Sequence, residues 1–212
     1  MIPALEKVEH EASVRVLLCE MLRLFYDKGW VSGTGGGICA TLRAGQLLVA
    51  PTGVHKERVM PEDFFVVDSQ GSVVRPPAGP TLHPSDCTPV FCAVIRSGRA
   101  GSVVHSHALG AVLTADLTET GFLSISRLEM LKGIRGVSLT SDHLVPIIAN
   151  QAREADLSDQ VAAVLQDPRF VSAAAILVRD HGAYIWGADI WEAKRHAEVY
   201  HFLFDAVRAR RT

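Results

Sequence analysis

Gly101-Ser102-Val103-Val104-His105-Ser106-His107, GSVVHSH, is the stretch on which the reading of this chain turns. Two β-branched valines behind a small Gly-Ser pair favour an extended strand, and that strand delivers two histidines at its end with one residue between them. Side chains alternate faces along a strand, so His105 and His107 point the same way and can grip one ion. Two ordinary histidines at a strand end fit the same seven residues, and the rest of the chain has to decide.

The 212 residues are 48% hydrophobic and 21% charged, enough chain for one well-buried core and short for two. One domain over residues 1–212 is expected. The formal charge of −2 is spread along the chain, which leaves no basic face for nucleic acid. The first residues lack a basic segment followed by an apolar one, and no run of about 18 apolar residues occurs, so a cytoplasmic protein without a membrane partner is expected. Cys19, Cys39, Cys87 and Cys92 show no CxxC spacing and are expected to be reduced.

Outward from the opening stretch, apolar residues from Leu5 to Phe25 recur at helical intervals, predicting one long helix over Ala4 to Lys28 that Gly29 ends. Gly33-Thr34-Gly35-Gly36-Gly37 follows. Its glycines let backbone N–H groups approach an anion, and a plain turn explains them equally. A hairpin is predicted from Ile38–Leu42 through a turn at Arg43-Ala44-Gly45 to Gln46–Ala50. Pro51-Thr52-Gly53 then breaks the strand and offers a hydroxyl and an N–H to the same anion, or simply turns. His55-Lys56-Glu57-Arg58 reads as a solvated charged patch. Met60 to Asp63 looks like a short helical start before a strand Phe64–Val67, with Val73-Val74 as a pairing partner.

The proline-rich run from Arg75 to Pro84 is a surface loop. Ser85-Asp86 is suited to cap a helix over Thr88–Ser97. Cys87, at that helix start, would have its thiolate favoured by the helix dipole, and a structural cysteine is the competing reading. Beyond GSVVHSH, a helix is expected over Ala108–Leu117 and a strand over Phe122–Ser126. Glu129 then sits among Leu128, Met130 and Leu131; buried there, its pKa would rise into a range useful for proton transfer, whereas on a helix surface it would be solvated. Leu144–Ile148 reads as a strand and Ser158–Gln166 as a helix. A buried strand Ala173–Val178 runs into Arg179-Asp180-His181-Gly182 and a second strand, and the chain closes on a helix over Ile190–Arg208. His181, beside a glycine at the end of a buried strand, is the third histidine that a catalytic zinc site with an open position needs. His10, His55, His83, His143, His196 and His201 read as packing or surface residues.

Gly33 to Gly37, the run Ala50 to Val59 (APTGVHKERV), Cys87-Thr88-Pro89, His105-Ser106-His107, Glu129 to Gly133 (EMLKG) and Arg179 to Gly182 together resemble the class II aldolase and adducin superfamily, in this order and over nearly the whole chain. Within it they resemble the methylthioribulose-1-phosphate dehydratases. The resemblance implies an α/β fold of three α/β/α layers on a largely antiparallel central sheet, usually assembled as a homotetramer. It implies one Zn2+ per subunit on His105, His107 and His181, with Glu129 as catalytic acid/base. It further implies substrate contacts from Cys87 and Lys132, and a phosphate held by Gly33, Thr34, Gly35, Gly36, Thr52, Gly53 and Ser85. The implied activity is dehydration of a small sugar phosphate in methionine salvage. A class II sugar-phosphate aldolase or epimerase would use the same metal and loops, and a non-catalytic adducin-like module would keep the fold without the metal ligands.

Overall fold

A computed structural model describes residues 10–42, 45–79 and 81–211. The elements in chain order are α1 (Glu11–Asp27), β1 (Gly37–Thr41), β2 (Leu47–Val49), β3 (Phe65–Val67), β4 (Val73–Arg75), α2 (Thr88–Arg96), β5 (Ser102–Ser106), α3 (Leu109–Ala115), β6 (Phe122–Ile125), β7 (His143–Ile148), α4 (Ser158–Gln166), β8 (Ala175–Val178), β9 (Gly182–Gly187) and α5 (Ile190–Ala209). Among the described residues the strands form one nine-stranded sheet in the order β4-β3-β2-β1-β5-β9-β8-β7-β6. Neighbours are antiparallel except β7 and β8, which pair in parallel.

Helices cover both faces of this sheet, and β9 shows how. Side chains along a strand alternate in direction. Tyr184 meets Phe91 of α2 edge to face, whereas a Cβ at Gly187 would run into Glu192 and Ala193 of α5. Those two positions differ in parity, so α2 and α5 lie on opposite sides, as the expected three layers require. Central strands β5, β8 and β9 are buried on both faces because helices cover both.

The start of the first predicted helix, residues 4–9, lies outside the described residues, as do Arg43 and Ala44 of the predicted hairpin turn. From Glu11 onward α1 buries Val14, Leu17, Leu18, Met21, Leu22 and Phe25; of the face expected from the periodicity, Leu17, Met21 and Phe25 are buried, whereas Ala12 and Val16 turn to solvent. Gly29 then adopts a left-handed φ of 73° that ends the helix. Three local expectations need correction. Strand β8 begins at Ala175 rather than Ala173, because Arg99 takes the carbonyls of Phe170, Val171 and Ala173 at 2.8, 2.8 and 2.6 Å and draws that backbone away from a ladder. Ser85 and Asp86 do not cap α2: its N-cap is Cys87, without a side-chain cap. The Ser85 hydroxyl instead accepts from the Cys87 N–H at 3.2 Å, inside a tight turn just before the helix. Lys56 is not part of a solvated patch. It is buried, donating to the carbonyls of Thr34 at 2.7 Å and Val54 at 3.0 Å.

Candidate metal centre

Strand directions create the site. β5 is antiparallel to β9, β9 to β8, and β8 parallel to β7, so β5, β8 and β7 all end at the same edge of the sheet. His105 and His107 close β5, His181 lies in the turn after β8, and the chain leaving β7 brings Asn150 and Glu154 to the same place. Two backbone features permit the approach. A side chain at Gly182 would collide with the Ser106 carbonyl, so only glycine lets the start of β9 lie against the end of β5. Asp180 takes the left-handed conformation in the turn, at φ 53°, which aspartate tolerates better than most residues.

The three Nε2 atoms converge. His105 and His107 are 2.8 Å apart at Nε2, and His181 Nε2 is 3.2 Å from each. Which tautomer each ring adopts follows from its other nitrogen. His105 Nδ1 faces the Ala183 carbonyl at 3.2 Å, an acceptor, so Nδ1 carries the hydrogen. His181 Nδ1 faces Asn150 Oδ1 at 3.0 Å, and that atom is fixed as the oxygen because the Gln151 N–H also donates to it at 2.9 Å. Both rings therefore aim bare Nε2 lone pairs at one point. Loss of hydration, reinforced by the neighbouring imidazoles, pushes His107 down to about 3.

A carboxylate joins them. Glu154 Oε1 stands 3.1 Å from His181 Nε2 and 3.4 Å from His105 Nε2, while Oε2 accepts from the Tyr184 hydroxyl. A cation at the centre would favour the charged form of this carboxyl. The Tyr184 ring lies flat on His105, with centroids 4.1 Å apart and planes 9° apart. Ligand atoms of His105, His107, His181 and Glu154 all lie within 4.8 Å of one another. Four ligands placed tetrahedrally at about 2.0–2.1 Å from zinc stand roughly 3.3 Å apart. Nε2 separations of 2.8–3.2 Å approach that edge length, and the donor set fits a divalent ion.

The segments read as anion-suited lie together beside this cluster. A Cβ at Gly35 would stand 2.5 Å from His107 Nδ1, and Gly36 is pressed against Val31 and the His105 carbonyl. Gly37 lies next to Ser85, and Lys56 holds the Thr34 carbonyl. Thr52 donates its hydroxyl to Asp86 at 3.0 Å and its N–H to His83, joining the turn at Thr52-Gly53 to the Ser85 turn. Cys87 is buried between Ser85 and Tyr184, and burial together with the Glu154 charge pushes its thiol up to about 12. The thiolate anticipated from the helix start does not form at neutral pH: desolvation overrides the dipole.

Glu129 departs from the buried reading. It opens a short 3-10 helix, Glu129–Gly133, whose Leu131 points into the core while its own side chain is 74% exposed and paired with Lys132 at 2.8 Å. Gly133 seats the turn on α5, where a Cβ would meet Val199 and where Arg195 donates to the Gly133 carbonyl. Two residues at the site, Glu154 and Tyr184, went unread in the sequence, and Lys56 beside it was read as solvated although it is buried. No helix among the described residues is long and apolar enough to cross a membrane.

The family profile of the Class II Aldolase and Adducin N-terminal domain matches residues 16–207. A protein of Osmerus mordax named methylthioribulose-1-phosphate dehydratase is 42% identical over 200 residues, which cover 90% of this chain and 81% of that relative. A Physcomitrium patens protein named probable bifunctional methylthioribulose-1-phosphate dehydratase/enolase-phosphatase E1 is 40% identical over 203 residues; the match covers 90% of this chain but only 40% of that longer relative. Among solved structures, YgbL from Escherichia coli superposes with a TM-score of 0.80 at 20% identity, over 94% of this chain and 90% of its own. With its sheet, its layers and its sequence likeness in agreement, the chain belongs to the class II aldolase and adducin family.

Proposed function

We propose that this chain dehydrates 5-methylthioribulose 1-phosphate to 2,3-diketo-5-methylthiopentyl 1-phosphate in methionine salvage, with one Zn2+ per subunit held by His105, His107 and His181. The observation that carries the metal chemistry is the convergence of three imidazole Nε2 atoms within 3.2 Å of one another. Likeness to relatives that bear the dehydratase name supports the substrate. When bound, the ion supplies Lewis-acid polarisation of the substrate carbonyl, which acidifies the neighbouring C–H.

The chain's own residues do the rest. Glu129 takes the proton from C3, the C4 hydroxyl leaves as water with a proton returned by the same carboxyl, and the resulting enol ketonises to the diketone. Lys132, ion-paired with Glu129, contacts substrate. Cys87, as a neutral thiol, contacts substrate. The phosphate lies against Gly33, Thr34, Gly35, Gly36, Thr52, Gly53 and Ser85, glycine-rich turns that let an anion approach the backbone closely. A cytoplasmic homotetramer of single-domain subunits belongs to the same proposal, and sedimentation of the purified protein tests its stoichiometry.

Glu129→Gln is the direct test. The variant should keep its zinc and lose at least about 100-fold in turnover, the scale on which a positioned acid/base contributes. Near-normal turnover would remove Glu129 from the reaction, and release of an aldehyde fragment from the substrate would replace dehydration by carbon–carbon cleavage.

A further inference from the structure

Three imidazole nitrogens and a carboxylate oxygen converge on one point, and His105 and His181 turn their Nδ1 atoms away from it, onto the Ala183 carbonyl and Asn150 Oδ1. Glu154 Oε1 sits 3.1 and 3.4 Å from the Nε2 atoms of His181 and His105, close to the edge of a tetrahedron around a divalent ion. Its position is built in. Glu154 opens a 3-10 turn, Glu154–Leu157, anchored by the fully buried Leu157. The remaining carboxylate oxygen is held by the Tyr184 hydroxyl, on a ring stacked over His105. Ligating carboxylates elsewhere are oriented by a partner of this kind.

Building on the zinc reading above, we propose that Glu154 is the fourth protein ligand of the ion, with Tyr184 as the positioning residue that fixes its free oxygen. The shell is then three imidazoles and one carboxylate, supplied by the ends of three strands that run the same way. One negative charge in the shell leaves a bound divalent ion with a net charge of +1. Substrate oxygens enter by enlarging the shell, as zinc sites that pass from four to five ligands allow.

The test uses the full-length protein stripped with a chelator and dialysed. Zn2+ affinity is measured by competition with a chromophoric chelator, and Co2+ loading by its visible absorption. Glu154→Gln should weaken Zn2+ by more than about 10-fold and alter the Co2+ spectrum, and Tyr184→Phe should move both in the same direction by a smaller amount. Glu129→Gln should leave both unchanged. If the wild type binds the ion while Glu154→Gln matches it in affinity and spectrum, the fourth-ligand proposal falls and the three-histidine site stands. If the wild type binds no ion, both fall. Should Glu154→Gln fail to fold, a crystal structure of the Zn2+-loaded wild type decides: Glu154 Oε1 at about 2.0–2.2 Å from the ion supports the assignment, and a carboxylate turned away overturns it.

Discussion

Gly35→Ala separates a glycine kept for a ligand from one kept for the backbone. Gly35 needs no left-handed conformation, so an alanine there is limited only by what its Cβ meets. It meets the imidazole of His107, at 2.5 Å from Nδ1 and 2.9 Å from Cε1. Ordinary contact begins near 3.4 Å, so the ring must retreat by about 0.9 Å. A metal–ligand distance tolerates about 0.2 Å. The ring is exposed on one side and can move, so metal-free stability should change by less than about 1 kcal/mol, the more so because alanine restricts the unfolded chain. Zn2+ affinity should fall by about 10- to 100-fold, the scale of losing a well-placed imidazole support. Chelator competition reads the affinity, and urea unfolding of the stripped protein reads the stability. Gly33→Ala is the comparison: its φ of 64° costs about 1 kcal/mol in the fold, but nothing lies within 4 Å of its Cβ, so affinity should hold. Wild-type affinity in Gly35→Ala would refute the claim that the glycine loop braces His107.

Buried histidines should make the metal-free protein acid-sensitive. Burial pushes His143 down to about 4 and His201 down to about 3, both below the unfolded value near 6.5. Below pH 6.5 the unfolded chain takes protons that the folded one refuses, so stability falls as pH drops, until the folded rings protonate near pH 3 to 4. Each ring contributes about 1.4 kcal/mol per pH unit in that window; urea midpoints should track it, and His201→Phe should flatten the slope, with an unchanged slope counting against the argument. Lys56→Met should leave the Thr34 and Val54 carbonyls without their buried donor and cost about 1–3 kcal/mol. The same variant should raise the KM for a phosphorylated substrate, since the glycine loop loses its tether; an unchanged KM would separate the loop from substrate binding.

Much of the site was legible because it obeys strand geometry. His-x-His on a strand is a local pattern with a fixed consequence, and His181 follows a run of four buried residues, Ala175–Val178, straight into a glycine. Glu154 was not legible. It lies in Asn-Gln-Ala-Arg-Glu-Ala-Asp, a polar stretch with no local mark of a ligand, and its meaning comes from the parallel pairing of β7 with β8, a non-local choice that no local pattern encodes. Lys56 failed for the converse reason: its neighbours His55 and Arg58 are exposed, and only its own chain turns inward. Glu129 shows the limit of composition, since flanking apolar residues do not bury a side chain when a 3-10 turn sends Leu131 inward and Glu129 out.

The histidines at the sheet edge are far apart along the chain: His105 and His181 are separated by 76 residues. An ion gripping both acts as a removable cross-link, closing a loop long enough that a covalent bridge there would be worth about 4.5 kcal/mol by chain entropy alone. The centre of chemistry would then also be a bolt through the middle of the sheet, joining the end of β5 to the turn leaving β8. Stripped of its ion, the protein should melt several degrees lower and yield sooner to protease at that edge. Metal supply would thus set how long each copy of the chain survives as well as how fast it turns over.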